Sequence, residues 1–539
     1  MTRRQIMLVV VGLMVAMFLS SLSQTVVGTA MRTIADDLHG LDQQAWVVTA
    51  FLIVSTVVTP VYGKLSDLFG RRPLFVIAIV LFLIGSIASS FSQSMLMLAA
   101  FRALQGLGAG GLMSLPLAIM ADVLSPRERA KYQGYFLAVF GISSVLGPLI
   151  GGLFAGADSL LGIEGWRWVF LFNLPLGAVA LLMVLRFLHL PRQHRSVRID
   201  WWGVTTITLA VVPLLLVAEQ GNEWGWTSPL SIACYVVGVI SAVVFIIIQR
   251  RMGDDALIPL HLFSSSTFSM ATVLSVFVGA AMFGGMMMIP LVLQLVHGLN
   301  PTEAGFAMTP MVIGMMIASI GSGQIISRTG RYRMFPLLGT SLLLISTGLL
   351  ALLDYDSPFW MLLLGELLLG LGLGQLMQTL TIAAQNSVEP RDMGVATSSA
   401  TFFRQLGGTA GTAAVFSLVY GRLPETIANA FADPQQARAL QQALGEQEVM
   451  QDPANGPILR ILEAPDTLGH SLHGDSSFLI GADPRLTAPF LDGFAGAASG
   501  AFWFACAVSI TALLLAFFFK TPPLREKSGV DSMIQDNDK

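Results

Sequence analysis

Three charged side chains stand deep inside apolar runs of this 539-residue chain: Arg102, Glu366 and Arg404. Charge at such depth is expensive and is kept where it faces a cavity, a partner or a path for ions. A carboxyl at Glu366 can take up and release a proton near neutral pH, which serine, glutamine and backbone groups cannot do. A guanidinium such as Arg102, brought close, favours its charged form, and a fixed structural ion pair is the competing reading. The segments around these two residues are related. FRALQGLGAGGLM (101–113) and GELLLGLGLGQLM (365–377) share a glycine register, Gly106, Gly108 and Gly110 falling on Gly370, Gly372 and Gly374, and Arg102 falls on Glu366. A second pair repeats at nearly the same offset: GKLSDLFGRR (63–72) has a worn copy, GQIISRTGRY (323–332). In the first copy Gly63 and Gly70 permit a tight crossing, and Asp67 can pair with Arg71 and lie near a neighbouring helix terminus. In the second copy Ser327 replaces the acid, so any latch built here is one-sided. The other reading is that Arg71 and Arg72 merely set topology.

The elements that carry these residues follow from hydropathy. Apolar residues make up 54% of the chain and charged residues 12%, with a mean hydropathy of +0.71. A soluble protein of ordinary composition carries about twice that charge. A block of about 20 apolar residues crosses a hydrocarbon core of about 30 Å as a helix, the structure that satisfies its own backbone in lipid. The pattern predicts an all-α membrane protein with fourteen helices, near 6–29, 44–63, 74–92, 95–118, 133–156, 168–189, 201–219, 230–250, 268–295, 303–326, 334–353, 358–383, 396–420 and 496–519. Arg3 and Arg4 before Ile6 could open a signal peptide, but further spans follow, and the first block reads as a membrane helix from which nothing is removed.

Lys and Arg then orient the chain. Clusters such as Lys64, Arg71 and Arg72, Arg192, Arg195 and Arg198, or Arg328, Arg331 and Arg333 fall on the side of both termini, against Arg32 and Arg167 in the short loops opposite. This predicts a multi-pass protein of the cell (inner or plasma) membrane with cytoplasmic N- and C-termini. The repeats divide it into a six-helix bundle (1–190), two inserted spans with flanking cytoplasmic segments (191–267), helices 9–13 (268–420), an extracytoplasmic insertion (421–495), and helix 14 with a cytoplasmic tail (496–539). The insertion holds ten acidic residues and four arginines. A polar helix over 434–449 is predicted, with Asp433 as N-cap and Pro434 at its first position. The insertion reads either as a cover or docking element for an extracytoplasmic partner, or as a partly disordered loop. Cys234 and Cys506 lie far apart in apolar spans and suggest neither a disulfide nor a metal site, and the near-neutral charge gives no reason to expect nucleic acid.

Four motifs in order resemble the major facilitator superfamily: GKLSDLFGRRP (63–73), FRALQGLGAGG (101–111), GISSVLGPLIGG (141–152) and WRWVFLFNLPLG (166–177). With fourteen helices, the resemblance is to the drug:proton antiporters of that superfamily. It implies two six-helix bundles plus two inserted helices, a substrate site between the halves, and efflux of amphipathic or lipophilic drugs driven by a proton gradient, with no cofactor and no enzyme activity. It implies that Gly63, Asp67, Gly70 and Arg71 hold the halves together and release them in each cycle. It also implies that Gly141, Gly147, Pro148 and Gly151 form a hinge that biases the cycle to exchange, although small-residue packing reads equally well from the residues alone. One departure concerns helix 1, where such exporters usually carry an aspartate in a Leu-Asp-x-Thr pattern. Here Leu22-Ser23-Gln24-Thr25 has Ser23 in that place, which concentrates the proton role on Glu366.

For substrate contact, the methionines of helices 9 and 10, Met286 and Met311 among them, suit an adaptable apolar site or ordinary packing. Gln24, Gln294, Gln378 and Arg404 are polar candidates for the same cavity. Two other readings stand beside the drug exporter. One is an exporter dedicated to a single endogenous metabolite or lipid. The other, from a different class, is a membrane sensor or partner-binding protein acting through its insertion.

Overall fold

The computed structural model describes residues 3–40, 43–157, 159–188, 199–299, 301–463 and 481–524. Among them are fourteen long helices: α1 (Arg3–Asp37), α2 (Gln44–Phe69), α3 (Arg71–Ser90), α4 (Met95–Val123), α5 (Pro126–Ala155), α6 (Asn173–Phe187), α7 (Trp201–Trp224), α8 (Pro229–Met252), α9 (Ser266–Leu295), α10 (Thr309–Thr329), α11 (Met334–Ala351), α12 (Phe359–Asn386), α13 (Met393–Ala432) and α14 (Pro484–Phe517). Thirteen of the described helices are long and apolar enough to cross a membrane. The exception among the long ones is α13, which is rich in Gly, Ala, Ser and Thr. Its residues 393–402 are buried without interruption, so it meets protein rather than lipid and has no need of an apolar surface.

The glycine repeat is built the same way in both halves. A side chain at Gly106 or Gly110 would strike the backbone of α2, and one at Gly108 the backbone of α3. In the second half Gly370 and Gly374 meet α10, and Gly372 meets α11. The shared register therefore sets two equivalent three-helix packings, α2–α3–α4 and α10–α11–α12.

Between the halves sits the pair α7–α8. α7 packs Ile207, Val211 and Leu215 against Ile53 and Val57 of α2 and Phe402 of α13, while α8 touches little beyond α7 and leaves most of its surface apolar and exposed. Its turn to α9 is tied down by Asp200, which accepts from Gln249 (2.8 Å) and from the Leu257 N–H (3.1 Å). The arginine cluster at 192–198 lies outside the described residues.

The insertion is narrower than its composition predicts. α13 runs on past 420 to Ala432 and α14 starts at Pro484, well before 496, because the two extensions pair with each other: Gly493 sits on Ile427, and Phe431 meets Phe490 edge-on at 5.2 Å. The predicted polar helix is present as Pro434–Gly445, with Asp433 Oδ1 accepting from the N–H groups of Gln435 and Gln436, and it ends at Gly445 rather than 449. Arg485 then clamps the next turn, binding Glu446 at 2.7 Å and Asp483 at 3.0 Å. The described part of the insertion is thus ordered helix packed on α14, not a loose loop.

Candidate functional site

On the face that carries the start of α1 and the end of α14, here the termini face, the halves are joined. α2 ends at Phe69 because Gly70 turns with φ +94°, a conformation side chains rarely adopt, and α3 begins at the next residue. This reversal lays Arg71 against the end of α2. Its guanidinium meets Asp67 Oδ1 at 2.5 Å and Ser66 Oγ at 2.5 Å, and its Nε donates to Asp122 Oδ2, in the last turn of α4, at 2.6 Å. The other oxygen of Asp67 accepts the N–H of Val395, in the first turn of α13, at 3.0 Å. A carboxylate of one half thereby caps a helix of the other, where unpaired N–H groups and the helix dipole both favour negative charge. The approach needs two glycines: a methyl at Gly394 would strike both Asp67 and Arg71, and one at Gly63 would strike the Ser398 side chain.

A second tie lies beside it. Arg129 of α5 donates to Gln385 of α12, and Gln378 donates to the Ala130 carbonyl at 2.5 Å while accepting from Ser319 at 2.8 Å. The second half has a neutral counterpart of the ion cluster. Asn386, at the repeat position of Asp122, donates to the Pro523 carbonyl at 3.0 Å, and Tyr332 donates to that of Pro522 at 2.9 Å. Sequence reasoning did not place Asp122, Gly394, Val395, Arg129 or Gln385 at this junction. Their partners lie 51 to 328 positions away, and no periodicity links them.

Inward of this junction a cavity of about 100 Å³ opens between α1, α2, α4 and α5 on one side and α9, α12 and α13 on the other. Gln24 and Arg404 line it, together with Gln405, Met17, Met113, Met282, Met287, Met377 and the rings of Phe51, Phe140 and Phe283. Other residues expected there are elsewhere. Gln378 is spent on the tie to Ala130, and Met311 is fully buried in the second half's core, where its backbone abuts Gly370. Met286 packs against the same core and Gln294 lies near the far end of α9, neither reaching the cavity wall.

Nor do Arg102 and Glu366 line it, contrary to their expected place. Arg102 points into its own bundle, donating to Gln105 Oε1 at 2.7 Å with its guanidinium 4.0 Å from the centroid of the Phe51 ring. Gln105 passes the contact on to Ser23 and Ser86, both at 3.2 Å, and Asn173 donates to Ser86 at 2.8 Å. Glu366 is fully buried, and neither carboxyl oxygen has a hydrogen-bond partner among the described residues. The structural ion pair between the two does not exist in this conformation. The reason is rotational: repeat-equivalent positions put both side chains inside their own bundles, with the cavity between.

Along α5, Gly147 and Gly151 seat on Thr25 and Thr29 of α1, while Gly141 and Pro148 face Val312 and Gly305 across the boundary between halves. α5 remains one helix through Pro148.

The sequence model of the Major Facilitator Superfamily matches residues 13–412. The chain belongs to the major facilitator superfamily. Among its relatives are the multidrug transporter protein MdtP of Bacillus subtilis, 37% identical over 75% of this chain and 73% of that one, and multidrug resistance protein 3 of the same organism, 34% identical over 75% and 77%. The proton:xylose symporter XylE superposes with a TM-score of 0.61 over 99% of this chain and all of that one, at 14% identity, which speaks to the fold alone. The transporter is thus a multi-pass membrane protein and not an enzyme.

Proposed function

We propose that this transporter exports amphipathic or lipophilic small molecules across a cell membrane in exchange for protons, with the termini face cytoplasmic and the insertion outside. The observation that carries the reading is a cavity between two halves joined on the termini face by polar contacts that can break: the Asp67–Val395 cap and the Arg129–Gln385 bond. Releasing these ties opens the cavity to that face, which is the step alternating access requires. Two bacterial relatives named as a multidrug transporter and a multidrug resistance protein support drug export, and the apolar methionine and aromatic walls favour amphipathic or lipophilic compounds.

Glu366 is the proposed proton carrier. An ionised carboxylate with no partner in an apolar surround is costly, so this buried site accommodates the neutral acid. A second conformation that admits water or a cation would release the proton. Arg102, which lies behind the Phe51 ring at the cavity wall, is proposed to favour the ionised form of Glu366 in that state and to move away in the other. The test is transport of a dye and of protons in everted vesicles, wild type beside Glu366→Gln. Loss of uphill export with downhill exchange retained supports the assignment. Full uphill export in the variant refutes it.

A further inference from the structure

Resting on that reading of the cavity as the transport site, we infer that it selects amphipathic anions, an apolar body carrying one carboxylate or sulfonate that pairs with Arg404. Arg404 lines the cavity and has no hydrogen-bond or ion-pair partner among the described residues. Its position on α13 is set tightly, because the α9 backbone at Gly279 packs directly on the Arg404 carbonyl. The neighbouring Gln405 is held by Thr59 Oγ1 at 3.3 Å. An unpaired guanidinium on a tightly packed backbone is a receptor for a planar anionic group, which it can bind through two parallel N–H donors.

Nothing on the wall offsets that charge. The cavity lining contains no Asp and no Glu, and every polar lining group other than Arg404 is neutral: glutamines, serines and threonines. A second cation stands behind the wall, since the Arg102 guanidinium lies 4.0 Å from the centroid of Phe51, whose ring faces the cavity, and its hydrogen-bonded network of Gln105, Ser23, Ser86 and Asn173 holds no carboxylate. The nearby acids are engaged otherwise. Asp67 and Asp122 are paired with Arg71 at the termini face, and Glu366 is buried away from the lining. In such a weakly screened space, two positive charges without a counter-ion attract an anion and repel a cation. Phe140, Phe283 and the methionine side chains supply the surface for the apolar body.

The test uses three probes with one apolar body: pyrenebutyrate, its uncharged methyl ester, and a pyrenebutyl trimethylammonium. Binding to the full-length protein in nanodiscs is read by tryptophan-to-pyrene energy transfer, with empty discs subtracted. Wild type should bind pyrenebutyrate at least about tenfold more tightly than either other probe, as a charge-assisted pair implies. Arg404→Gln should bring pyrenebutyrate to the level of the ester, and Arg404→Lys should keep most of the preference. Equal binding of the anion and the cation by wild type, or an unchanged anion preference in Arg404→Gln, overturns the inference. Failure of wild type to bind any of the three overturns it as well. Anion-selective binding without proton-driven uptake in everted vesicles supports the inference while refuting the exporter reading.

Discussion

Replacing Asp67 by Asn perturbs one oxygen and one charge at the junction of the halves. The carboxylate accepts the Val395 N–H at 3.0 Å inside the first turn of α13 and is held by Arg71 at 2.5 Å. A hydrogen bond to a charged group contributes about 1.5–3 kcal/mol, and the amide that replaces it still accepts a neutral bond of about 1 kcal/mol. Loss of the anion from the helix N-terminus removes a further 0.3–1 kcal/mol or so. Arg71 keeps Asp122, so no buried cation is stranded. The closed junction should therefore lose about 2 kcal/mol, moving the equilibrium about 30-fold toward the state in which α13 has left α2. Spin labels at Phe69 and Glu389, both exposed on the termini face, report that separation by double electron–electron resonance after Cys234 and Cys506 are changed to Ser. The long-distance population should grow from minor to dominant, and turnover should fall strongly with insertion into the membrane unchanged. An unaltered distance distribution together with normal turnover would show that the Asp67 contact carries no weight in the cycle.

Four further outcomes are expected. Gly63→Ala should abolish transport, because its methyl strikes Ser398, and adding Ser398→Gly, which removes the obstructing atoms, should restore part of it in the same vesicle assay. Glu366→Asp should retain partial uphill export with its pH profile displaced; an unchanged profile would count against Glu366 as the titrating group. In the insertion, hydrogen bonds from Arg485 hold the Glu446 and Asp483 carboxyls below their usual range, so their support for the clamp is present above about pH 4 and fades as pH falls further. Arg485→Ala should accordingly raise protease cleavage around 446–463 at neutral pH, and acid-pulsed wild type should match it. A cysteine at the exposed Gln441 should react with an impermeant reagent added to intact cells, and labelling confined to the cytoplasmic side would sink the proposed orientation.

Much of the architecture was legible from the sequence because it rests on local properties. Transfer of a 20-residue block into hydrocarbon depends on its own side chains, so the helices fell near their predicted spans, and the charge punctuating them suggested a topology. The glycine register at 106–110 and 370–374 revealed the duplication, since a small residue at each third-helix crossing is needed wherever two backbones touch. Asp67 beside Arg71 was readable because the two lie one helical turn apart in sequence.

The tertiary structure decided what depends on rotation about a helix axis and on which distant ends meet. Met287 and Met311 are the same residue in apolar runs, yet one lines the cavity and the other is core, because only the neighbouring helices determine which face is inward. Gln378 and Gln24 likewise look alike in sequence, but an α5 carbonyl lies within reach of the first and open space before the second. The arrest of Arg71 by Asp122 and the capping of α13 by Asp67 join residues across 51 and 328 positions, and no local periodicity encodes a contact made by folding alone. Burial also changed the meaning of composition in α13: the one long helix short of membrane-span hydropathy buries residues 393–402 without interruption, and there protein neighbours, not lipid, satisfy its surface.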